Sequence, residues 1–204
     1  MKHIEIDGIL IPQPECYRDC FLLEQSDYYR YYKKKASNHE MFLKTFVSPF
    51  FKFNLRLRLS QYQPTSFIGK FFSLVIRYFK TRIGRKRCLM ISEKMPLGYG
   101  LYLAHAFGVI INPKAVIGSN CTISQFTTIG AVTGNPAHIG DNVYLGPSVC
   151  VVEEVRVGSN AVVGAGAVVV RDVPEGRTVA GVPAKIISDN NSSLLITNPW
   201  TIEK

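Results

Sequence analysis

Every sixth residue from Ile111 onward is a branched aliphatic. The series runs Ile111, Ile117, Ile123 and Ile129, then, after a four-residue insertion, Ile139, Leu145, Val151, Val157, Val163 and Val169. Ten such residues in register arise by chance on the order of once in a million. The next residue is usually small (Gly118, Ser124, Gly140, Gly158), and the position four further on is small or β-branched (Ala115, Cys121, Thr127, Val143). A period of six fits neither a 3.6-residue helix nor simple alternation. It fits a solenoid in which each hexad supplies a short strand with an inward aliphatic, followed by a turn. Three hexads close a triangular coil, and stacked coils pair through parallel strands. Leu97 and Leu103 extend the frame upstream, so roughly twelve hexads predict about four coils. Only Phe107, Phe126 and Tyr144 are aromatic between Leu103 and Ile187, as a core of aliphatic ladders requires.

The first 88 of the 204 residues have another character. After a strand-like stretch, His3 to Ile11, helices are predicted from about Tyr17 to Ala36, after Pro49, and from Thr65 or Ser66 to near Gly84; Ser37 and Glu40 form an S-x-x-E capping box. The division expected is a basic, aromatic-rich helical region over 1–88, the β-helix over 89–187 and a tail over 188–204. Tyr28 to Arg87 holds 15 basic residues, one acid (Glu40) and 15 of the 23 aromatics, whereas the whole chain is only +9. Five cysteines with no C-x-x-C pair read as reduced thiols, not as disulfides or a metal site. No signal pattern opens the chain and no 18-residue apolar run occurs, so a cytoplasmic protein is expected.

The motifs Leu103-Ala-His105-Ala-Phe-Gly-Val-Ile-Ile-Asn112-Pro, Ile123-Ser-Gln125-Phe-Thr-Thr-Ile-Gly130 and Ala180-Gly-Val-Pro-Ala-Lys185 occur in that order. With the hexads, they resemble the serine acetyltransferase branch of the left-handed parallel β-helix acyltransferases. The resemblance implies left-handed coils, a homotrimer with active sites between subunits, and acetyl transfer from acetyl-CoA to a hydroxyl without a metal. It also implies that His105 is the catalytic base, a role suited to an imidazole that titrates near neutrality. Gly146, Ser148, Gly164, Ala165 and Gly166 match the edge along which the coenzyme arm lies, and Lys185 matches a basic residue near its phosphates.

Three departures bear on the acceptor. Serine-specific members carry an aspartate directly before the histidine and another fifteen residues upstream; here these are Ala104 and Met90. Such members also carry an Arg-His pair in the loop after the T-I-G motif, whereas Ala131 to His138 contains no arginine to clamp a carboxylate. These losses favour a sugar hydroxyl, and hence kinship with polysaccharide O-acetyltransferases, over the alternative of serine O-acetyltransferase. Glu93, Asn112 or a backbone carbonyl is then expected to orient His105. Gln125 and His138 are expected to contact the acceptor, with turn bonding and a solvated loop as their ordinary explanations. A non-catalytic scaffold and transfer to an amino-sugar nitrogen stay open as rival readings. The basic aromatic segment admits association with the inner face of a membrane or with anionic glycan, or plain packing of a helical core with solvated cations; no nucleic-acid motif accompanies it.

Overall fold

The computed structural model describes residues 1–132 and 134–201, without the side chains of residues 38, 45 and 49. Position 133 of the insertion loop and residues 202–204 of the expected tail lie outside the described residues. The opening stretch is a hairpin instead of one strand. β1 (Lys2–Ile6) pairs antiparallel with β2 (Ile9–Gln13) around Asp7 and Gly8, both at positive φ (51° and 79°). An Asp-Gly pair between apolar residues is the sequence signal for such a turn.

Four helices follow: α1 (Tyr17–Tyr32), α2 (Asn38–Val47), α3 (Pro49–Gln61) and α4 (Phe67–Arg87). α1 stops four residues short of Ala36 because Lys33 turns left-handed and its N–H closes on Tyr29 O. Half of the capping box forms: Ser37 Oγ accepts from Glu40 N at 3.2 Å, while the Glu40 carboxylate takes Tyr28 Oη and Lys34 instead. Among the described residues no helix is long and apolar enough to cross a membrane, and all five cysteines are free.

Among the described residues thirteen short strands follow: β3 (Tyr102–Leu103), β4 (Ile110–Ile111), β5 (Val116–Ile117), β6 (Thr122–Ile123), β7 (Thr128–Gly130), β8 (His138–Ile139), β9 (Tyr144–Leu145), β10 (Cys150–Val152), β11 (Arg156–Val157), β12 (Val162–Val163), β13 (Val168–Val169), β14 (Thr178–Ala180) and β15 (Lys185–Ser188), with a short 3-10 turn (Ser192–Leu194) after them. The strands form a parallel β-helix with three faces. Face 1 stacks β4, β7, β10 and β13; face 2 stacks β5, β8 and β11; face 3 stacks β3, β6, β9, β12 and β14, closed by antiparallel β15. Single bridges at Met90, Leu97 and Val173 add rungs at the two ends, beyond the regular hexads. The rung residues are the hexad aliphatics. Ile111, Ile129, Val151 and Val169 align on face 1, and Leu103, Ile123, Leu145, Val163 and Val179 on face 3. Each is buried to 3% exposure or less.

The helical region sits on the first coil through a buried charged network. Arg58 and Asp27 are both fully buried and joined by two bonds, Nε–Oδ2 at 2.7 Å and Nη2–Oδ1 at 2.8 Å. Arg58 also donates to Gly98 O, and Asp27 accepts from Leu101 N at 2.6 Å, so the pair bonds directly to the coil's backbone. Arg30 reaches Gly100 O, Thr122 Oγ1 and Thr197 O. The last binds a returning segment, 190–201, which also pairs Trp200 with Asn120 in both directions.

Glu24 completes the cluster by accepting from Asn54 Nδ2 at 3.1 Å. Burial, and then the neighbouring Asp27 charge, push its carboxyl well above the usual carboxylate range despite Arg58. A folded state that holds a proton more tightly than the unfolded chain loses stability as pH rises from about 4.5 through that raised value. Urea unfolding across this window is expected to show falling stability for the wild type and a flatter profile for Glu24→Gln.

Candidate active site

Turns between strands stack into three edges, and the edge leading from face 3 to face 1 collects most of the residues singled out from the motifs. His105 follows β3, Gln125 follows β6, Gly146 to Ser148 follow β9, and Gly164 to Gly166 follow β12. Lys185 pairs with Ala180 where this edge runs out past the last coil. Backbone bonds tie the turns together: Phe126 N to Phe107 O (3.0 Å), Ser148 N to Gln125 O (2.9 Å) and Gly166 N to Pro147 O (2.8 Å). Left-handed residues recur along the edge: Phe126, Ser148 and Gly166 have φ of 60°, 60° and 69°, and the longer first turn holds three, His105, Ala106 and Gly108, at 59°, 20° and 68°. That geometry is rare for a bulky residue such as Phe126.

Small residues along this edge have two separate causes. A Cβ on Gly146 would lie 2.8 Å from Ala165 N, so close stacking of coils demands glycine there. A Cβ on Gly166 would meet nothing within 4 Å, and its positive φ is the constraint. The space outside Gly166 on this edge is open. Gln125 Oε1 is buried on the same edge with no hydrogen-bond partner among the described residues. An orphaned buried acceptor is costly unless a donor arrives. An amide N–H of a pantetheine arm, or an ammonium group, fits that need.

The imidazole of His105 is exposed and makes no hydrogen bond among the described residues. Glu93 and Asn112, expected to orient it, lie at a different edge, from face 1 to face 2. Glu93 is bonded to Lys80 Nζ and sits 3.6 Å from Arg77 Nε. Burial raises its carboxyl, but Lys80 and Arg77 outweigh that and hold it below its ordinary value. Asn112 Oδ1 accepts from Lys114 N at 3.0 Å and closes a turn. Both expectations are therefore corrected: twelve residues, two hexads, separate Glu93 from His105, which carries the chain to another corner. His138 is likewise engaged, with Nδ1 2.5 Å from Asp7 Oδ2 in the hairpin turn.

The sequence reading passed over Arg87. It is the last residue of α4, ahead of the first rung at Met90, so no count of hexads reaches it. Gly108 N donates to Arg87 O at 2.9 Å, and Arg87 and His105 line one cavity of about 280 Å³ with Tyr31, Tyr32, Ser48 and Phe50. No carboxylate pairs with Arg87 among the described residues.

The family described as bacterial transferase hexapeptide (six repeats) matches residues 136–171. Serine acetyltransferase 1, chloroplastic, of Arabidopsis thaliana is 35% identical over 119 residues, covering 56% of this chain and 38% of that protein. The serine complex of Neisseria gonorrhoeae serine acetyltransferase superposes with TM-score 0.67 at 29% identity, covering 82% of this chain and 69% of the other. The coenzyme A complex of serine acetyltransferase from Brucella abortus strain S19 gives 0.65 at 26%, covering 87% and 70%.

The chain carries hexapeptide repeats and is similar to serine acetyltransferases. Its fold is the left-handed parallel β-helix of those structures, preceded by helices. The chain spans about two fifths of the length of the curated relatives it matches (38% and 39%). The expected kinship with polysaccharide O-acetyltransferases is overturned, because these curated relatives and solved structures are serine acetyltransferases. That expectation weighed the charges missing at positions 90 and 104 and in the insertion loop, and left out the cation that α4 brings to His105.

Proposed function

We propose that this chain is an acetyl-CoA-dependent O-acetyltransferase whose acceptor is the hydroxyl of L-serine. The observation that carries the reading is an imidazole and an unpaired guanidinium lining one small cavity, at the head of the edge that carries the later motif residues. The serine complex and the coenzyme A complex of the similar proteins support the two substrates.

Acetyl-CoA supplies an activated carbonyl. His105 takes the proton from the serine hydroxyl as its oxygen bonds to that carbonyl carbon, and the carbon–sulfur bond then breaks. The proton passes from His105 to the departing sulfur, so charge balances with no covalent enzyme intermediate. Arg87 holds the serine carboxylate through charge-assisted bonds, in the role that the insertion loop cannot fill here. Gln125 Oε1 accepts from the coenzyme arm or from the serine ammonium, and Lys185 sits where the edge meets the phosphates. In the trimer that this reading includes, a neighbouring protomer closes the open side of the edge.

Thiol release from acetyl-CoA tests the reading, with L-serine set against neutral oligosaccharides. Turnover with serine is expected; turnover of the oligosaccharides alone overturns the proposal. Arg87→Ala is expected to raise the KM for serine about 10- to 100-fold, the worth of one charged hydrogen bond, with little change in the KM for acetyl-CoA.

A further inference from the structure

α4 is amphipathic the wrong way round for a helix that only packs within its own chain. Its buried positions are Ser73, Lys80 and Gly84, at i, i+7 and i+11. Its outward stripe is Phe67, Phe71, Leu74 and Tyr78, which are 87%, 59%, 65% and 60% exposed, and Ile68 and Phe72 flank it. An apolar stripe of this size in water marks a contact surface.

Beside the stripe, the cleft between α3 and α4 forms a cavity of about 650 Å³ lined by Lys52, Arg56, Arg82, Lys86 and Arg87, with Phe79 and Phe107. None of these five cations is ion-paired among the described residues. No aspartate or glutamate occurs from Pro49 to Arg87, a stretch with ten basic residues. A second copy docked on this face would set like charge against like charge. An anionic phospholipid surface satisfies both features, accepting the aromatic stripe at the headgroup boundary and offering phosphates to the cleft.

We infer that α4 docks this protein on an anionic membrane leaflet, with Phe67, Phe71, Leu74 and Tyr78 inserted and Arg82 and Lys86 facing headgroup phosphates. The inference stands apart from the acetyl-transfer reading, since it is scored by sedimentation and not by turnover.

The full chain is spun with vesicles of pure phosphatidylcholine and with vesicles containing phosphatidylglycerol. Binding to the anionic vesicles only is expected, weakening as salt is added. Arg82→Glu with Lys86→Glu is expected to lower the partition coefficient about thirtyfold or more. Phe71→Ser with Tyr78→Ser is expected to weaken binding at unchanged thermal unfolding and unchanged thiol release in solution. Absence of binding, or equal binding to both vesicles, overturns the inference. So does lipid-free self-association in sedimentation velocity that Phe71→Ser with Tyr78→Ser abolishes, which would make the stripe a contact between copies.

Discussion

Replacing His105 with alanine is expected to lower kcat for acetyl transfer by about 10²- to 10⁴-fold, the usual contribution of a positioned general base. His105 is exposed and its ring is unbonded, so the substitution removes no hydrogen bond or ion pair among the described residues. Thermal unfolding is therefore expected to match the wild type, and coenzyme A affinity, which the proposed reading assigns to later turns of the same edge, to change little. Stopped-time thiol release with L-serine, together with coenzyme A titration, checks both. Transfer persisting at the wild-type rate would remove the imidazole from the mechanism. No carboxylate among the described residues is bonded to the ring: Met90 and Ala104 stand where serine-specific members carry one, and the carboxylate of Glu93 is bonded to Lys80 and lies near Arg77. The loss in His105→Ala is accordingly expected nearer the lower end of the range.

The second large effect is on stability. Asp27→Ala strands the Arg58 guanidinium, which is fully buried and bonded to both Asp27 oxygens. Breaking a buried pair from one side costs about 3–5 kcal/mol. For a chain of this size each kcal/mol moves Tm by about 2–4 °C, so a drop on the order of 10 °C is expected. Removing both charges in Asp27→Leu with Arg58→Met is expected to cost less than the sum of the single changes, because neither charge is then left buried alone. Urea unfolding of the four proteins closes the cycle, and additive costs would show that the pair does not act as a unit. Asp27 also accepts from Leu101 N, two residues before the rung at Leu103 that leads into His105. The destabilised variant is thus expected to lose activity before it unfolds.

The hexads were fully legible because each inward aliphatic serves one rung, and nothing distant decides its place. Ile111, Ile129, Val151 and Val169 fall in one column by a count of six once the four-residue insertion between Ile129 and Ile139 is allowed for. The line of His105, Gln125, Gly146 and Gly164 along one edge follows from the same count once the insertions before Ile111 and Ile139 are allowed for. The same arithmetic excludes Glu93, a partner chosen for its charge before its corner was counted.

What escaped the sequence was long-range. Arg58 and Asp27 are 31 positions apart and look like two more surface charges until two helices cross over the first coil. His138 looked like a free loop histidine because Asp7, its partner, is brought from the other end of the chain by the hairpin. Arg87 ends a helix ahead of the hexad frame and is hidden among fifteen basic residues, where nothing in composition distinguishes the one beside an imidazole.

The returning segment gives the order of synthesis a physical meaning. Arg30 leaves the ribosome early, yet one of its acceptors, Thr197 O, is made 167 residues later. Until then that guanidinium edge must keep its hydration water. The clasp between the helices and the first rung can therefore lock only after every later coil has been laid down, which makes it a seal on the finished molecule and not a seed for it.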